Sequence, residues 1–212
     1  MFESGISSIT EQEDGGAFIE PAVSKPALLL HSCCGPCSTA VVERLAPRFR
    51  LTLYFCNSNI DNEAEYIKRL NIQKRFVELY NASDLRSEPI TIICAPYTPA
   101  AFLQLVEGKE GCEEGGERCR ICIHDRLEKT AAFAVMNGFD HFSTTLSVSR
   151  HKNHEMILGL GTALALQYGL SFEGSDFKKN GGEQRSIELA RAYGLERQNY
   201  CGCRFSKKQA EK

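Results

Sequence analysis

The chain has 212 residues, of which 42% are hydrophobic and ten are cysteine, and its formal net charge is −2. This hydrophobic content fills the core of one domain, so disulfides are not needed as a substitute for a core. The sequence has no run of about 18 apolar residues, so we expect no membrane-spanning helix, and the small net charge excludes a protein that is basic over its whole surface.

The first 25 residues form a polar segment, and residues 1–24 contain five acidic residues but no lysine or arginine. A signal peptide begins with a basic stretch followed by an apolar one, and a transit peptide is rich in arginine. This segment has neither feature. We therefore predict that 1–25 is a disordered acidic arm without a catalytic role, and that the protein is cytoplasmic, where thiols stay reduced.

An alternation of strands and helices follows the arm. The apolar run Ala27-Leu28-Leu29-Leu30 is typical of a central parallel strand, and it ends in the motif His31-Ser32-Cys33-Cys34-Gly35-Pro36-Cys37. An apolar stripe of Val41, Val42 and Leu45 then predicts a helix as far as Pro47. Further strands are predicted at 51–56, 89–94, 139–146 and 170–173. Further helices are predicted at 63–80, from Thr98 onward, and at 118–137, 152–169 and 186–193, with a Gly- and Glu-rich loop at 107–117.

This order of elements predicts a single α/β domain over 26–206, followed by a basic tail at 207–212. Repeated strand–loop–helix units give a Rossmann-like, three-layer arrangement in which helices cover both faces of a parallel sheet. In such sheets ligands bind beyond the carboxyl ends of the strands. We therefore expect a metal site on that rim, formed by the segments 31–37, 57–61, 94–97 and 146–150.

Six of the ten cysteines form close pairs. The pairs are Cys33-Cys34, Cys119-x-x-Cys122 and Cys201-Gly202-Cys203. Cys119 and Cys122 are three residues apart near a predicted helix start, so their sulfurs face the same side, whereas adjacent cysteines rarely bond to each other because the disulfide ring is strained. Grouped thiols in a reducing compartment indicate a soft metal. Three unlike pairs favour an iron–sulfur cluster over the paired Cys-x-x-Cys motifs of structural zinc.

The remaining cysteines are more ordinary. Cys37 lies in a first helical turn, where the helix dipole favours a thiolate, and its role stays open. Cys56 and Cys94 follow strands and are predicted to be small buried hydrophobic residues. Cys112 lies in the acidic loop and is predicted to have no part in the site.

Two carboxylates and the glycines of two segments are less specific indicators of function. Asp176 and Asp61 follow strands, and each can bind a metal or donate a proton, or can simply cap a helix or turn. The loop after the first strand has one glycine, which is too few for a phosphate-binding loop and argues against ATP. Gly159-x-Gly161 lies inside a predicted helix and indicates a packing notch.

The motifs together resemble the QueH-type epoxyqueuosine reductases. The matching elements are Leu30-His31-Ser32-Cys33-Cys34-Gly35-Pro36-Cys37-Ser38, Asn57-Ser58-Asn59-Ile60, Arg118-Cys119-Arg120-Ile121-Cys122, Thr144-Thr145-Leu146-Ser147-Val148-Ser149, Asp176-Phe177-Lys178-Lys179 and Arg197-Gln198-Asn199-Tyr200-Cys201-Gly202-Cys203. They occur in family order over about 25–206. Ser58 stands where the family pattern has proline, and Arg150-His151 stands where it has proline and an aromatic residue.

The resemblance implies a HUP-like fold and the last step of queuosine biosynthesis, in which epoxyqueuosine in a tRNA anticodon stem-loop loses its epoxide oxygen. It implies a cobalamin-independent oxidoreductase with a [4Fe–4S] cluster, a second mononuclear metal, expected to be iron, and an external low-potential electron donor. The resemblance assigns metal binding to Cys33, Cys34, Cys119, Cys122, Cys201, Cys203 and Asp176, without dividing them between two centres. Asp176 and Cys34 are the catalytic candidates.

The basic C-terminal part is the expected tRNA surface, because residues 178–208 contain eight basic and three acidic residues. The side chains suited to this task are Arg197, Tyr200, Arg204, Phe205, Lys207 and Lys208. Two other functions remain open at this point. One is an ATP-dependent tRNA-thiolating enzyme, and the other is a non-catalytic RNA-binding module stabilised by zinc.

Overall fold

The computed structural model describes residues 24–83 and 88–210. Within these residues the strands are β1 (Ala27–His31), β2 (Arg50–Phe55), β3 (Thr91–Cys94), β4 (His141–Thr144) and β5 (Ser171–Glu173). The helices are α1 (Gly35–Leu45), α2 (Glu63–Asn81), α3 (Pro99–Leu105), α4 (Glu117–Met136), α5 (His154–Tyr168), α6 (Gly182–Ala192) and α7 (Arg204–Ala210). A 3₁₀ helix spans Thr145–Val148.

The five described strands form one parallel sheet in the order β3-β2-β1-β4-β5. This is the order of a doubly wound α/β fold, and it confirms the predicted fold class. In the central strand, Leu29 pairs with Thr52 on one side and Phe142 on the other. Because all strands run the same way, their carboxyl ends meet at one edge of the sheet, hereafter the rim.

Side chains of β1 alternate between the two helical layers. Leu28 and Leu30 are fully buried in a cluster with residues of α1, α2 and α6. Leu29, between them, is buried in a second cluster with residues of α4 and α5. The continuous apolar run of β1 is thus required because both of its faces are covered.

Apart from shifts of one or two residues at element ends, the structure differs from the predicted elements at three places. β4 ends at Thr144 rather than at 146, because the Thr144 hydroxyl accepts a hydrogen bond from the Leu146 amide at 3.2 Å and starts the 3₁₀ turn. α6 begins at Gly182, four residues before the prediction. α7 was not predicted, since its sequence is largely polar, and it reaches into the segment predicted as a tail.

The predicted arm at 1–25 falls almost wholly outside the described residues, as do residues 211 and 212. Among the described helices, none combines the length and the apolar composition that crossing a bilayer requires.

Two glycines of α5 form a matched test of the packing between this helix and the sheet. A Cβ added at Gly161 would overlap the Phe172 ring of β5, whereas one at Gly159 would meet nothing within 4 Å. We expect Gly161→Ala to lower the free energy of unfolding by about 1–3 kcal/mol through overpacking. We expect Gly159→Ala to raise it by roughly 0.5–1 kcal/mol through helix propensity. Urea denaturation measures both, and equal effects of the two substitutions would contradict this packing.

Candidate metal centre

The loop between β1 and α1 brings three cysteines to the rim. Cys34 is the N-cap of α1 and makes no side-chain capping bond, so its sulfur is free for other contacts. Gly35 allows close approach to α2, because a Cβ there would lie 2.9 Å from the Ile72 carbonyl oxygen. The sulfurs of Cys33, Cys34 and Cys37, hereafter the triad, all lie within 4.8 Å of one another.

Ionisation of the triad is uneven. Hydrogen bonds from Cys34 and Cys37 hold the pKa of Cys33 well below its usual value against the opposing effect of burial. The Thr145 hydroxyl also donates to the Cys33 sulfur at 3.2 Å. The pKa values of Cys34 and Cys37 are raised, first by their hydrogen bonds to Cys33 and then by burial. Ionising all three thiols therefore requires a cation among them, which is the property of a metal-binding set.

Buried hydrogen bonds of His31 and Asn57 hold the triad loop against the carboxyl ends of the strands. The His31 ring is fully buried between the Thr144 hydroxyl (Nδ1 to Oγ1, 2.8 Å) and the Cys56 carbonyl (Nε2 to O, 3.2 Å). Because a carbonyl only accepts, Nε2 carries the proton. Burial lowers the pKa of His31 to about 3, so the ring is neutral at physiological pH. Asn57 donates to the Ser32 carbonyl at 2.8 Å and ties the loop to the end of β2.

A second group of cysteines joins α4 to the C-terminal segment. Cys119, Cys122, Cys201 and Cys203, hereafter the tetrad, line one cavity of about 10 Å³. The sulfurs of Cys201 and Cys203 are 3.4 Å apart. Backbone amides approach two of the sulfurs, with Gly115 N donating to Cys119 at 3.3 Å and Ser206 N donating to Cys203 at 3.4 Å.

The turn within the Cys201-Gly202-Cys203 segment depends on its glycine. Gly202 has φ +109°, and a Cβ there would lie 2.7 Å from Ile60 and 3.1 Å from the Arg69 guanidinium. The segment is held by Arg69, which donates to the Tyr200 carbonyl at 3.1 Å. A side chain at position 202 would therefore displace this segment and the two sulfurs on either side.

Burial and neighbouring charge oppose each other in the tetrad. Burial raises the pKa of Cys122 to about 11. The pKa of Cys201 is lowered to about 5, chiefly by a hydrogen bond from Cys203 and further by the Lys152 ammonium, against the cost of burial. The Cys203 pKa is raised because Cys203 supplies that hydrogen bond. As in the triad, full ionisation requires added positive charge.

A larger cavity of about 510 Å³ connects the two groups. All three triad cysteines line it, as does Cys201 of the tetrad. Its basic lining residues are Arg69, Arg126, Arg150, Lys152 and Arg197. The carboxylates that line it are paired with two of these bases, Glu114 with Lys152 at 3.0 Å and Glu183 with Arg150 at 3.1 Å. The cavity is thus an open, cationic space lined by thiols of both groups.

The structure brings together all six paired cysteines that the sequence indicated, in two groups rather than three pairs. It also adds Cys37 to the first group. Asp176 lines neither cavity and pairs with Lys178 at 3.4 Å. Asp61 accepts a hydrogen bond from the Arg204 amide at 2.8 Å. Cys56, Cys94 and Cys112 lie outside both cavities; Cys56 is buried as predicted, whereas Cys94 is exposed.

Sequence reasoning gave no role to several groups that the fold delivers to the site. Arg126 and Glu114 are examples, together with the Thr145 hydroxyl. Arg126 had one local signal, because it follows Cys122 by four residues and so lies on the same face of α4. Glu114 had none, since an acidic loop is typical of a solvated surface.

Comparison with known proteins identifies the family. A family model described as epoxyqueuosine reductase QueH matches residues 28–209. The epoxyqueuosine reductase QueH of Streptococcus pyogenes serotype M1 is 41% identical over 184 residues, which cover 87% of this chain and 71% of that protein. Its counterpart in Staphylococcus aureus is 41% identical over 187 residues, covering 87% and 77%, and that of Thermotoga maritima is 32% identical over 179 residues, covering 84% and 89%.

The chain therefore belongs to the epoxyqueuosine reductase QueH family. The family name denotes an oxidoreductase, so both the resemblance seen in the sequence and the predicted enzyme class are confirmed.

Proposed function

We propose that the protein reduces epoxyqueuosine in a tRNA anticodon stem-loop to queuosine, without cobalamin, as the final step of queuosine biosynthesis. The epoxide becomes an alkene, and its oxygen leaves as water after uptake of two electrons and two protons. The observation that carries this proposal is the pair of cysteine groups that both contribute to the lining of one cationic cavity, in a chain of the QueH family.

The tetrad suits a [4Fe–4S] cluster. Four thiols are the usual ligand set for such a cluster, and here they are drawn from two segments that close around one cavity. Backbone N–H groups directed at two of the sulfurs are the interactions that commonly surround cluster ligands. We therefore assign the cluster to Cys119, Cys122, Cys201 and Cys203.

The triad suits the second, mononuclear metal, which we expect to be iron. Four tetrahedral metal–sulfur bonds of about 2.3 Å place sulfurs roughly 3.8 Å apart, and the triad sulfurs already lie within 4.8 Å of one another. Three protein ligands on one side of an ion leave a position open, which is the arrangement of catalytic rather than structural sites. The cavity provides the space for a substrate on that side.

When bound, the cluster supplies single electrons from an external low-potential donor, and the second metal supplies Lewis acidity toward the epoxide oxygen. The side chains of the cavity then bind and orient the nucleoside and hold protons. Cys34 lines the cavity and its pKa is raised, so its thiol is protonated in the absence of metal. As a ligand of the second metal it is a thiolate, so its proposed catalytic role is metal binding rather than proton donation. Asp176, the other proposed ligand and proton donor, remains a candidate from the family pattern alone.

The mouth of the cavity suits single-stranded RNA. Arg150 and Arg197 are exposed cations for phosphates, although Arg150 also pairs with Glu183. Tyr200 lines the cavity, and because the Arg69 guanidinium lies over its ring at 4.9 Å, one ring face is left for base stacking. Phe205 is less suitable, because it does not line the cavity and its ring packs against the Arg118 guanidinium at 4.8 Å. Arg204 does not line the cavity and is engaged with Asp61. The RNA surface is thus proposed at the cavity mouth rather than along the whole basic segment.

The reaction is tested with anaerobically reconstituted protein, a chemical reductant and tRNA that carries epoxyqueuosine. We expect queuosine in the digested tRNA by mass spectrometry, and a visible iron–sulfur absorption with about four iron atoms or slightly more per chain. Cys119→Ala and Cys122→Ala should lose both signals. Cys112→Ala is the matched control, because it lies in the adjoining loop outside both cavities, and it should keep both.

Three results would contradict the proposal: a colourless protein that holds zinc alone, an iron-loaded protein that leaves epoxyqueuosine unchanged, or equal iron loss in all three cysteine variants. ATP binding with sulfur transfer to tRNA would instead identify the thiolating enzyme.

The cavity mouth is tested by the salt dependence of tRNA binding. Replacing both Arg150 and Arg197 with alanine should weaken binding. It should also reduce the magnitude of the slope of log K against log salt concentration, by about 0.7 for each phosphate that the variant no longer neutralises. Arg75→Ala is the control, because Arg75 is an exposed, ion-paired arginine of α2 that lies away from the cavity. An equal decrease of affinity in the control would place the RNA elsewhere.

A further inference from the structure

The tetrad cavity is surrounded by an excess of positive charge. Of the described residues that line it, three are cationic, Arg118, Arg126 and Lys152, and none is a carboxylate. Charged residues are rarely buried without a partner, because removing them from water is unfavourable. Their convergence on four thiols therefore requires a cause beyond the packing of α4.

Arg118 has unused hydrogen-bonding capacity at this cavity. The residue is 2% exposed, and its Nη1 donates to the carbonyls of Lys109, Glu110 and Cys112 at 3.3, 2.9 and 2.5 Å. Its Nε and Nη2 are buried and have no partner among the described residues. A buried guanidinium with two nitrogens that lack hydrogen-bond partners indicates that an acceptor binds at this cavity.

Arg126 is a buried cation beside both cysteine groups. It is 5% exposed and lines both the tetrad cavity and the larger cavity. Among the described residues, its guanidinium makes a single hydrogen bond, from Nε to the Cys122 carbonyl at 3.2 Å, and has no carboxylate partner. Its charge is therefore uncompensated by acidic side chains and faces sulfur on two sides.

Lys152 completes the arrangement from the segment that precedes α5. Its side chain is 10% exposed, lines both cavities and pairs with Glu114. The Lys152–Glu114 pair has no net charge, but only its ammonium lines the tetrad cavity, so the positive end faces the thiols. Replacing Lys152 would leave the Glu114 carboxylate uncompensated nearby.

We propose that Arg118, Arg126 and Lys152 are positioning residues that raise the reduction potential of the [4Fe–4S] cluster held by the tetrad. This inference rests on the cofactor assignment of the proposed function. A cluster bound by four thiolates is anionic, and reduction adds a further negative charge. Buried cations stabilise the reduced form more than the oxidised form, and they act strongly because little water screens them. The cluster is thus made reducible by the charge that the fold buries beside it.

The decisive variants remove one buried charge while keeping side-chain bulk. We expect Arg126→Met to lower the equilibrium constant for one-electron reduction of the cluster by about tenfold or more, which corresponds to about 59 mV per factor of ten. Arg126→Lys should restore most of the potential, because it retains the charge. Lys152→Met should shift the potential in the same direction and Lys152→Arg should restore it. The readout is the midpoint potential from a spectroelectrochemical titration, at equal iron content.

Arg120→Met is the matched control. Arg120 lies between Cys119 and Cys122 on the same helix but is exposed, so solvent screens its charge and the midpoint potential should stay unchanged.

The possible outcomes distinguish a failure of this inference from a failure of the proposed function on which it rests. Iron-loaded Arg126→Met and Lys152→Met proteins with the wild-type potential would overturn the inference and leave the proposed function intact. A shift as large in Arg120→Met would also overturn it, because exposed and buried charge would then act alike. If one methionine variant loses its iron, the midpoint potential of the other variant decides whether the inference holds. A wild-type protein that takes up no cluster would overturn the cofactor assignment as well.

Discussion

Burying several thiolates at one edge of a sheet is possible only if positive charge is buried with them. A thiolate in a low-dielectric site is disfavoured, and each further thiolate nearby makes it more so. Both cysteine groups show this conflict. The pKa of Cys33 is lowered while those of Cys34 and Cys37 are raised, and the pKa of Cys201 is lowered while those of Cys122 and Cys203 are raised. In the proposed assignment, metal ions resolve the conflict in both groups, and the buried arginine and lysine side chains that line the tetrad cavity contribute as well.

The remaining architecture holds the sulfurs in place against this repulsion. The triad loop rests on a neutral, fully buried His31 and on Asn57, which tie the ends of three neighbouring strands together. The tetrad is closed by a C-terminal segment that passes close to Arg69 and can do so only with glycine at position 202. The parallel sheet matters here because it delivers all these loops to one rim.

The fold could be predicted because its signals are local. A continuous apolar strand, helical stripes and turn residues fix the α/β order without knowledge of tertiary structure, and β1 is the clearest example. The end of β4 and the presence of α7 could not be predicted. Those features depend on the Thr144 hydroxyl and on packing of Phe205 under Arg118, which no periodicity reveals.

The sequence predicted most of the cysteines that belong to the site, but not how they are divided into two groups. Close pairs in sequence identified six of the seven grouped cysteines. Their division into a triad and a tetrad depends on the return of residues 201–203 to α4, about 80 positions along the chain from Cys122. The buried cations belong to the family pattern but were given no role in the site, because a charged side chain is typical of a solvated surface until the fold encloses it.

The central claim is that the two cysteine groups hold different metal centres. Anomalous diffraction at the iron edge, from crystals of anaerobically reconstituted protein, tests it most directly. The account predicts a four-iron feature enclosed by Cys119, Cys122, Cys201 and Cys203, and a separate single-metal peak beside Cys33, Cys34 and Cys37. A cluster located at the triad, or a lone zinc ion within the tetrad, would contradict it.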